Sequence, residues 1–206
     1  MKPVRMVIFA KAPLAGFAKT RLIPALGQQG AADLARRLLL QTLHEALNSQ
    51  LGPVELCVTP STADAVWQTL HLPKAVRLAD QGEGDLGARM ARAAERVIAA
   101  GESVLLLGTD CPQLDAVQLQ QAALALQDTE AVLVPAFDGG YVLLGLNRFD
   151  SSVFSGIAWS TNRVMDETMG RLKQLEWRVK TRPALHDIDE PSDLKWLPTF
   201  AAPDTL

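Results

Sequence analysis

Short apolar runs alternate along the chain with longer segments in which apolar residues recur every three or four positions. The short runs predict strands at residues 6–10, 54–59, 75–78, 104–107 and 131–134, and the periodic segments predict helices at 31–47, 85–99 and 161–175. Residues 139–146 are typical of one added strand, which could run antiparallel to the others. This alternation predicts right-handed βαβ units, and therefore an α/β sandwich with a mostly parallel sheet covered by helices on both faces.

Composition narrows the class of protein without identifying it. The chain has 206 residues, 48% of them apolar, and a net charge of −3, which is typical of one globular domain spanning residues 1–206. The charge balance argues against nucleic-acid binding, and no apolar run approaches the roughly 20 residues that a membrane-spanning helix needs. Two widely separated cysteines indicate free thiols in a reducing compartment, so we expect a cytoplasmic protein.

The loop after the first predicted strand concentrates positive charge next to a glycine. Lys11, Gly16, Lys19 and Arg21 follow the strand at the position where parallel sheets bind ligands. Three cations near a flexible turn favour a phosphate-bearing ligand, although a solvated basic turn is the alternative. The loop is not a P-loop, because no glycine precedes Lys19 at the spacing that motif requires.

A second loop, after the third predicted strand, is rich in glycine. Gly87 is one of three glycines that would let the backbone approach a ligand closely. Asp85 is suited either to the ligand site or to capping the next helix. Arg89 belongs either to the site or to a solvated row of arginines along that helix.

Four carboxylates follow strands or extended segments and are candidates for chemistry. Asp110 ends a buried strand, where a carboxylate needs a partner, and a divalent metal bridging to a diphosphate would provide one. Asp138 precedes two glycines, so it either starts a tight hairpin or faces an acceptor hydroxyl, or does both. Asp187 and Asp189 are two positions apart on an extended segment and point the same way, so either could be a second metal ligand. Turn or helix capping is the alternative role for Asp110 and Asp189.

Five motifs in order give the chain a resemblance that covers residues 4–197. They are K-A-P-x-x-G-x-x-K-T-R-L from Lys11, Q-G-x-x-D-L-G-x-R-M from Gln81, G-T-D-C-P from Gly108, D-G-G-Y-x-L-L-G-L from Asp138 and D-I-D-x-P-x-D-L from Asp187. Together they resemble the glycosyltransferase-A-like superfamily of nucleotide-diphosphosugar transferases. More narrowly, they are similar to the selenodomain-associated transferase 1 family, also called arsenosugar-associated glycosyltransferase-like.

The resemblance implies a Rossmann-like three-layer α/β/α sandwich with a mostly parallel mixed sheet. It implies nucleotide and phosphate binding by the residues of the first two loops: Lys11, Gly16, Lys19, Arg21, Gln81, Asp85, Gly87 and Arg89. Asp110 would be the main metal ligand and a catalytic residue, Asp189 the second ligand with Asp187 beside it, and Asp138 a catalytic residue facing the acceptor. The implied cofactor is Mg²⁺ or Mn²⁺.

Three functions are consistent with these residues. The first is metal-dependent glycosyl transfer from a nucleotide sugar to a small acceptor, which the family resemblance favours. The second is nucleotidyl transfer from a nucleoside triphosphate to a phosphorylated small molecule, which suits the cationic first loop. The third is a nucleotide-binding module without catalysis. The base, the sugar, the acceptor and the oligomeric state are left open by the sequence.

Overall fold

A seven-stranded mixed sheet forms the centre of the protein in the computed structural model, which describes residues 2–198. The strands, in chain order, are β1 (Val4–Lys11), β2 (Val54–Thr59), β3 (Val76–Asp80), β4 (Ser103–Leu107), β5 (Ala131–Pro135), β6 (Tyr141–Leu146) and β7 (Val179–Thr181). Their order across the sheet is β3-β2-β1-β4-β6-β5-β7, and only β6 runs antiparallel to its neighbours. The predicted mostly parallel mixed sheet is therefore confirmed, and the added strand is antiparallel.

Helices cover both faces of this sheet. They are α1 (Ile23–Asn48), α2 (Leu86–Ala99), α3 (Ala116–Ala125) and α4 (Val164–Gln174), with short 3₁₀ helices at Thr20–Leu22, Ala65–Leu70, Ser151–Phe154 and Pro191–Trp196. Apolar residues of α1 and α3 belong to the core cluster on one face, and those of α2 and α4 belong to the cluster on the other. The three-layer α/β/α sandwich is thus confirmed. No helix within residues 2–198 is long and apolar enough to cross a membrane.

Three elements differ from the sequence-based expectation. Helix α1 begins at Ile23 rather than at residue 31, and Gly27 interrupts it with φ 72° and ψ 167°. Helix α3 was not predicted, because Val117 and Leu124 are exposed apolar residues and leave the segment without a clean periodicity. Strand β7 has only three residues, two of them exposed, so it carries too short a pattern to be recognised.

Candidate active site

Two cavities open at the carboxyl ends of the strands, as expected for a parallel sheet of this kind. The larger has a volume of about 490 Å³ and the smaller about 240 Å³. Six residues line both: Phe9, Leu86, Asp110, Asp138, Ser160 and Asp189. The two cavities are therefore adjoining compartments of one site, and three carboxylates lie where they meet.

The larger cavity has a cationic wall. It is lined by Lys11, Lys19, Arg21 and Arg89, which come from the end of β1, the segment that follows it and the first turn of α2. Lys11 Nζ also lies 4.8 Å from the ring centroid of Phe17, which lines the same cavity. Four cations converging on one concave surface are suited to a diphosphate or triphosphate.

Lys19 joins the two halves of the site. Its Nζ lies 2.6 Å from Asp110 Oδ1 and 2.9 Å from Asp189 Oδ1, and it donates a hydrogen bond of 2.5 Å to the carbonyl of Ile188. The side chain is only 7% exposed. Burial opposes the charge of this ammonium group, but the two carboxylates outweigh burial and raise the pKa of Lys19 above its ordinary value. Lys19 is therefore a buried cation shared by two carboxylates.

Three carboxylates form a second cluster. Asp138, Asp187 and Asp189 each place one oxygen within 4.8 Å of the other two. Carboxylate oxygens are the ligands that Mg²⁺ and Mn²⁺ prefer, so this cluster fits a divalent cation. Asp110 lies outside it and pairs with Lys19, while Asp189 belongs to both groups. Metal binding by Asp110, Asp187 and Asp189 stays a prediction.

Two hydrogen-bonding features hold the segment that carries these carboxylates. The amide of Ile188 donates to the carbonyl of Asp110 at 2.8 Å, which ties the segment to the loop after β4. The Oδ2 atom of Asp193 accepts from the amides of Asp189 at 3.0 Å and Glu190 at 2.7 Å. The start of the last 3₁₀ helix thus fixes the backbone beside Asp189.

Asp138 both forms a turn and reaches the site. Its Oδ1 accepts a hydrogen bond of 2.8 Å from the amide of Gly140, and the amide of Ala136 donates to the carbonyl of Gly140 across the β5–β6 turn. The same side chain lines both cavities. The two expectations for Asp138, a hairpin start and a carboxylate presented to the site, are therefore compatible in one conformation.

Gly139 sits where no side chain fits. Its φ is +92°, and an added Cβ would lie 2.2 Å from the backbone oxygen of Asn162. We expect Gly139→Ala to lower the free energy of unfolding by at least about 2 kcal/mol, because positive-φ strain adds to the overlap. Gly170→Ala is the control, since Gly170 lies in α4 with nothing within 4 Å, and we expect it to be neutral or slightly stabilising. Urea denaturation of both variants measures the difference, and equal stabilities would contradict the interpretation.

The glycine-rich loop after β3 lines the larger cavity, and its side chains also hold neighbouring elements in place. Gln81 Nε2 donates to the carbonyls of Ala10 at 3.1 Å and Cys57 at 2.9 Å, and its Oε1 accepts from Arg89 at 3.0 Å. Gln81 therefore joins the ends of β1 and β2 and orients Arg89. The side chain of Asp85 caps α2 by accepting from the amide of Ala88 at 2.8 Å.

The two glycines that were predicted to bind a nucleotide line neither cavity. Gly16 is exposed with φ +76°, and it turns the loop between Lys11 and Lys19. Gly87 is buried, and an added Cβ would lie 2.4 Å from Nε1 of Trp159. Asp85 is likewise outside the linings. Binding of a nucleotide by Gly16, Asp85 and Gly87 stays a prediction, while their visible contacts shape the loops around the site.

The smaller cavity contains the residues that sequence reasoning missed. Its apolar wall comes from α2, β4, β6, the segment before α4 and the start of α4, and includes Met90, Leu106, Val142, Trp159 and Val164. Each looks like an ordinary core residue along the chain, so no local pattern distinguishes it. Ser160, with φ 63°, is the polar residue of the segment before α4 that lines both cavities.

Asp187 gives the site a pH-dependent property. Burial, together with the smaller effect of the nearby carboxylates of Asp138 and Asp189, raises the pKa of this carboxyl to about 6. The folded protein therefore binds this proton more tightly than the unfolded chain, so its contribution to stability is lost as the pH rises from about 4 to 6. We expect the metal-free protein to lose stability over this range relative to Asp187→Asn. Urea denaturation in a chelator tests this, and a pH-independent difference between the two proteins would contradict it.

The fold and this site define a protein of the nucleotide-diphospho-sugar transferase-like class. A structure from Desulfovibrio desulfuricans G20, provisionally named a nucleotide-diphospho-sugar transferase, is 32% identical, with a TM-score of 0.87 over 94% of this chain and 85% of that chain. The chain belongs to the family described as an uncharacterized protein conserved in bacteria (DUF2064), whose model matches residues 42–161. No curated protein sequence matches the chain.

Two more distant structures share the fold alone. CMP:2-keto-3-deoxy-manno-octonic acid synthetase, solved in complex with CTP, is 10% identical with a TM-score of 0.57, over 94% of this chain and 95% of that chain. Rv0371c from Mycobacterium tuberculosis H37Rv, solved in complex with manganese, is 16% identical with a TM-score of 0.53, over 95% of this chain and 97% of that chain. The fold therefore occurs in proteins solved with a nucleotide and with a divalent metal.

Proposed function

We propose that the protein is a metal-dependent transferase that moves a glycosyl group from a nucleotide sugar to a small neutral acceptor. The observation that carries the proposal is the pair of adjoining cavities, one cationic and one without cations, which meet at Asp110, Asp138 and Asp189. The cationic cavity suits a nucleotide-activated donor, and the cavity without cations suits an uncharged acceptor. The narrower family resemblance, to selenodomain-associated transferase 1, stays a prediction.

The larger cavity is suited to the nucleotide and its phosphates. Lys11, Arg21 and Arg89 would neutralise the diphosphate, with Arg89 oriented by its hydrogen bond to Gln81. The relative solved with CTP supports a nucleotide ligand for this fold. Lys19 would share its charge between the carboxylates and the phosphates.

The lining of the smaller cavity supports glycosyl transfer over nucleotidyl transfer. Among the described residues that line it, none is Lys, Arg or His, whereas three are aspartates. A phosphorylated attacker entering from this side would meet carboxylates with the same charge, and no cationic side chain among the described lining residues would compensate its phosphate. A neutral hydroxyl avoids this repulsion, so the geometry favours glycosyl transfer.

The residues would divide the reaction as follows. A divalent ion held by Asp187 and Asp189, with Asp110 nearby, would neutralise charge that develops on the departing diphosphate. Asp138 would accept the proton of the acceptor hydroxyl, because its carboxylate faces both cavities. The cations of the larger cavity hold the leaving group in place, and the two cavities bring donor and acceptor together.

Nucleotidyl transfer is the second candidate, and the four cations of the larger cavity favour it because they also suit a triphosphate. A panel of nucleotide sugars, nucleoside triphosphates and sugar phosphates, with Mg²⁺ or Mn²⁺, separates the candidates. We expect a nucleoside diphosphate to be released from a nucleotide sugar. Release of pyrophosphate only, from a triphosphate and a sugar phosphate, would overturn glycosyl transfer.

Nucleotide binding is tested separately from turnover. A nucleoside diphosphate at about 100 times its dissociation constant should stabilise the protein by roughly 2.7 kcal/mol. We expect Arg21→Ala to weaken this binding at least tenfold and Arg36→Ala, at an exposed position of α1 outside both cavities, to leave it unchanged. Binding without turnover of any donor would support the non-catalytic module, and no thermal shift with any nucleotide would overturn the whole proposal.

A further inference from the structure

The smaller cavity has an apolar wall that a phosphate group does not require. Carbon atoms of Met90, Leu106, Val142, Trp159 and Val164 form most of its wall, and carboxylates lie at the side that it shares with the larger cavity. Four of these residues are buried and Trp159 is half-buried, so the wall is formed by the folded core rather than by a loop tip. Pockets of this kind bind the apolar part of a small molecule and orient its polar end.

We propose that this cavity selects the acceptor, and that the acceptor is a neutral alcohol carrying one compact apolar group, such as a single aromatic ring. The inference rests on the proposed glycosyl transfer and specifies its acceptor class. The volume of about 240 Å³ corresponds to about eight water molecules, which suits one six-membered ring with a short substituent. The hydroxyl would then point towards Asp138.

A purely polar acceptor is a poor match for the same wall. Each buried hydroxyl of a sugar needs a hydrogen-bond partner. Apart from the carboxylates and the indole N–H of Trp159, the polar side chains on the lining are the hydroxyls of Ser160, Thr161 and Tyr141. Thr161 already donates to the carbonyl of Ala158 at 2.7 Å, and the hydroxyl of Tyr141 is fully buried. The wall therefore favours carbon surface over several hydroxyl groups.

The wall that Trp159 forms is fixed by its packing. The indole lies so close to Gly87 that an added Cβ would be 2.4 Å from Nε1, and it lines the cavity. Val164, at the first position of α4, is 7% exposed and forms another part of the wall. These two side chains limit the width of the group that can enter.

The transfer step balances with these groups alone. The acceptor oxygen forms a bond to the anomeric carbon of the donor sugar, and the bond from that carbon to the diphosphate oxygen breaks. The bonding electron pair leaves with the nucleoside diphosphate, and the acceptor proton passes to the carboxylate of Asp138. No oxidant or further reactant is needed.

A matched pair of variants tests the cavity. Val164→Phe fills it, and Val117→Phe makes the same change at an exposed position of α3 that lines neither cavity. The probe is 4-fluorobenzyl alcohol, whose binding is followed by fluorine NMR without any donor present. We expect binding to the parent protein and to Val117→Phe, and at least a tenfold weaker affinity in Val164→Phe.

Turnover provides the second measurement. With a nucleotide sugar that the parent protein hydrolyses, we expect transfer to the benzyl alcohol to exceed transfer to glycerol at least tenfold at equal concentration. Trp159→Ala widens the cavity at a half-buried position, so we expect it to shift preference towards a two-ring alcohol such as naphthylmethanol. This variant tests the proposal even if Val164→Phe fails to fold.

The outcomes separate this inference from the function on which it rests. One outcome is that the fluorinated alcohol binds, that Val164→Phe weakens this binding, and that no donor is turned over. This would support the cavity as a binding site for the alcohol and overturn glycosyl transfer. Donor hydrolysis with no binding of the aromatic alcohol, or with equal transfer to glycerol, would overturn the acceptor class and leave glycosyl transfer standing.

Discussion

Asp189→Asn should reduce metal-dependent turnover at least about a hundredfold, because this carboxylate takes part in every component of the site. It is 2.9 Å from Lys19 Nζ, belongs to the three-carboxylate cluster, and lines both cavities. Electrostatic stabilisation of a leaving phosphate is worth several kcal/mol, and each 1.4 kcal/mol is a tenfold change in rate. The measurement is release of nucleoside diphosphate as a function of Mn²⁺ concentration.

The control for this variant is Asp166→Asn, which removes an exposed carboxylate of α4 that lies outside both cavities. We expect the control to retain the parent protein's rate and metal dependence. If Asp189→Asn kept more than half of the parent activity with the same metal requirement, Asp187 and Asp189 would not hold the metal. Mn²⁺ titration monitored by thermal unfolding gives the same answer independently of turnover.

Lys19→Met should have the second large effect, with opposite signs for turnover and metal affinity. Lys19 is the cation shared by Asp110 and Asp189, and its side chain is 7% exposed. Without it, the two carboxylates repel each other, so a divalent cation is bound more tightly. Turnover should fall at least about tenfold because a cation beside the departing diphosphate is lost.

The stability of the Lys19→Met variant tests the role of this side chain independently of activity. The carboxylates of Asp110 and Asp189 are 44% and 39% exposed, so solvent screens them, and we expect Lys19→Met to cost only about 1–2 kcal/mol without metal. Added Mg²⁺ should restore more stability to the variant than to the parent protein. Lys173→Met, at an exposed position of α4, is the matched control. A smaller metal-induced shift in Lys19→Met than in the parent protein would contradict the interpretation.

Both predictions depend on contacts that span most of the chain. Lys19 and Asp189 are 170 residues apart, and their ion pair exists because the loop after β1 and the segment before the last 3₁₀ helix meet at the same edge of the sheet. The sequence indicated that each residue lies near a ligand. It could not show that they contact each other, because an ion pair depends on distances that no local pattern encodes.

The fold was more accessible to sequence reasoning than the site. Buried strands such as β1 and β4 are short apolar runs between loops, and α2 has a regular apolar face, so local patterns were sufficient. The elements that were missed have weak local patterns: α3 exposes Val117 and Leu124, and β7 has three residues. For these, packing against the rest of the protein decides the conformation.

For the candidate site residues, position along the chain indicated which of them lie at the site, but it did not indicate what each side chain contacts there. Lys11, Arg21 and Asp138 line the cavities, as their places after strands suggested. Asp85 caps α2, which is one of the two roles predicted for it, and its part in nucleotide binding stays a prediction. Gln81 braces the ends of β1 and β2, a contact that depends on where those strands lie relative to the loop.

The sequence by itself determined the mostly parallel α/β sandwich, the cationic loop at Lys11–Arg21 and the carboxylates that follow the strands, because each follows from residue types and local periodicity. The tertiary structure decided which carboxylates cluster, that Lys19 is shared between two of them, and that an apolar cavity adjoins the cationic one. Those features depend on strand order and on side chains from distant elements, so they exist only when the whole sheet has assembled.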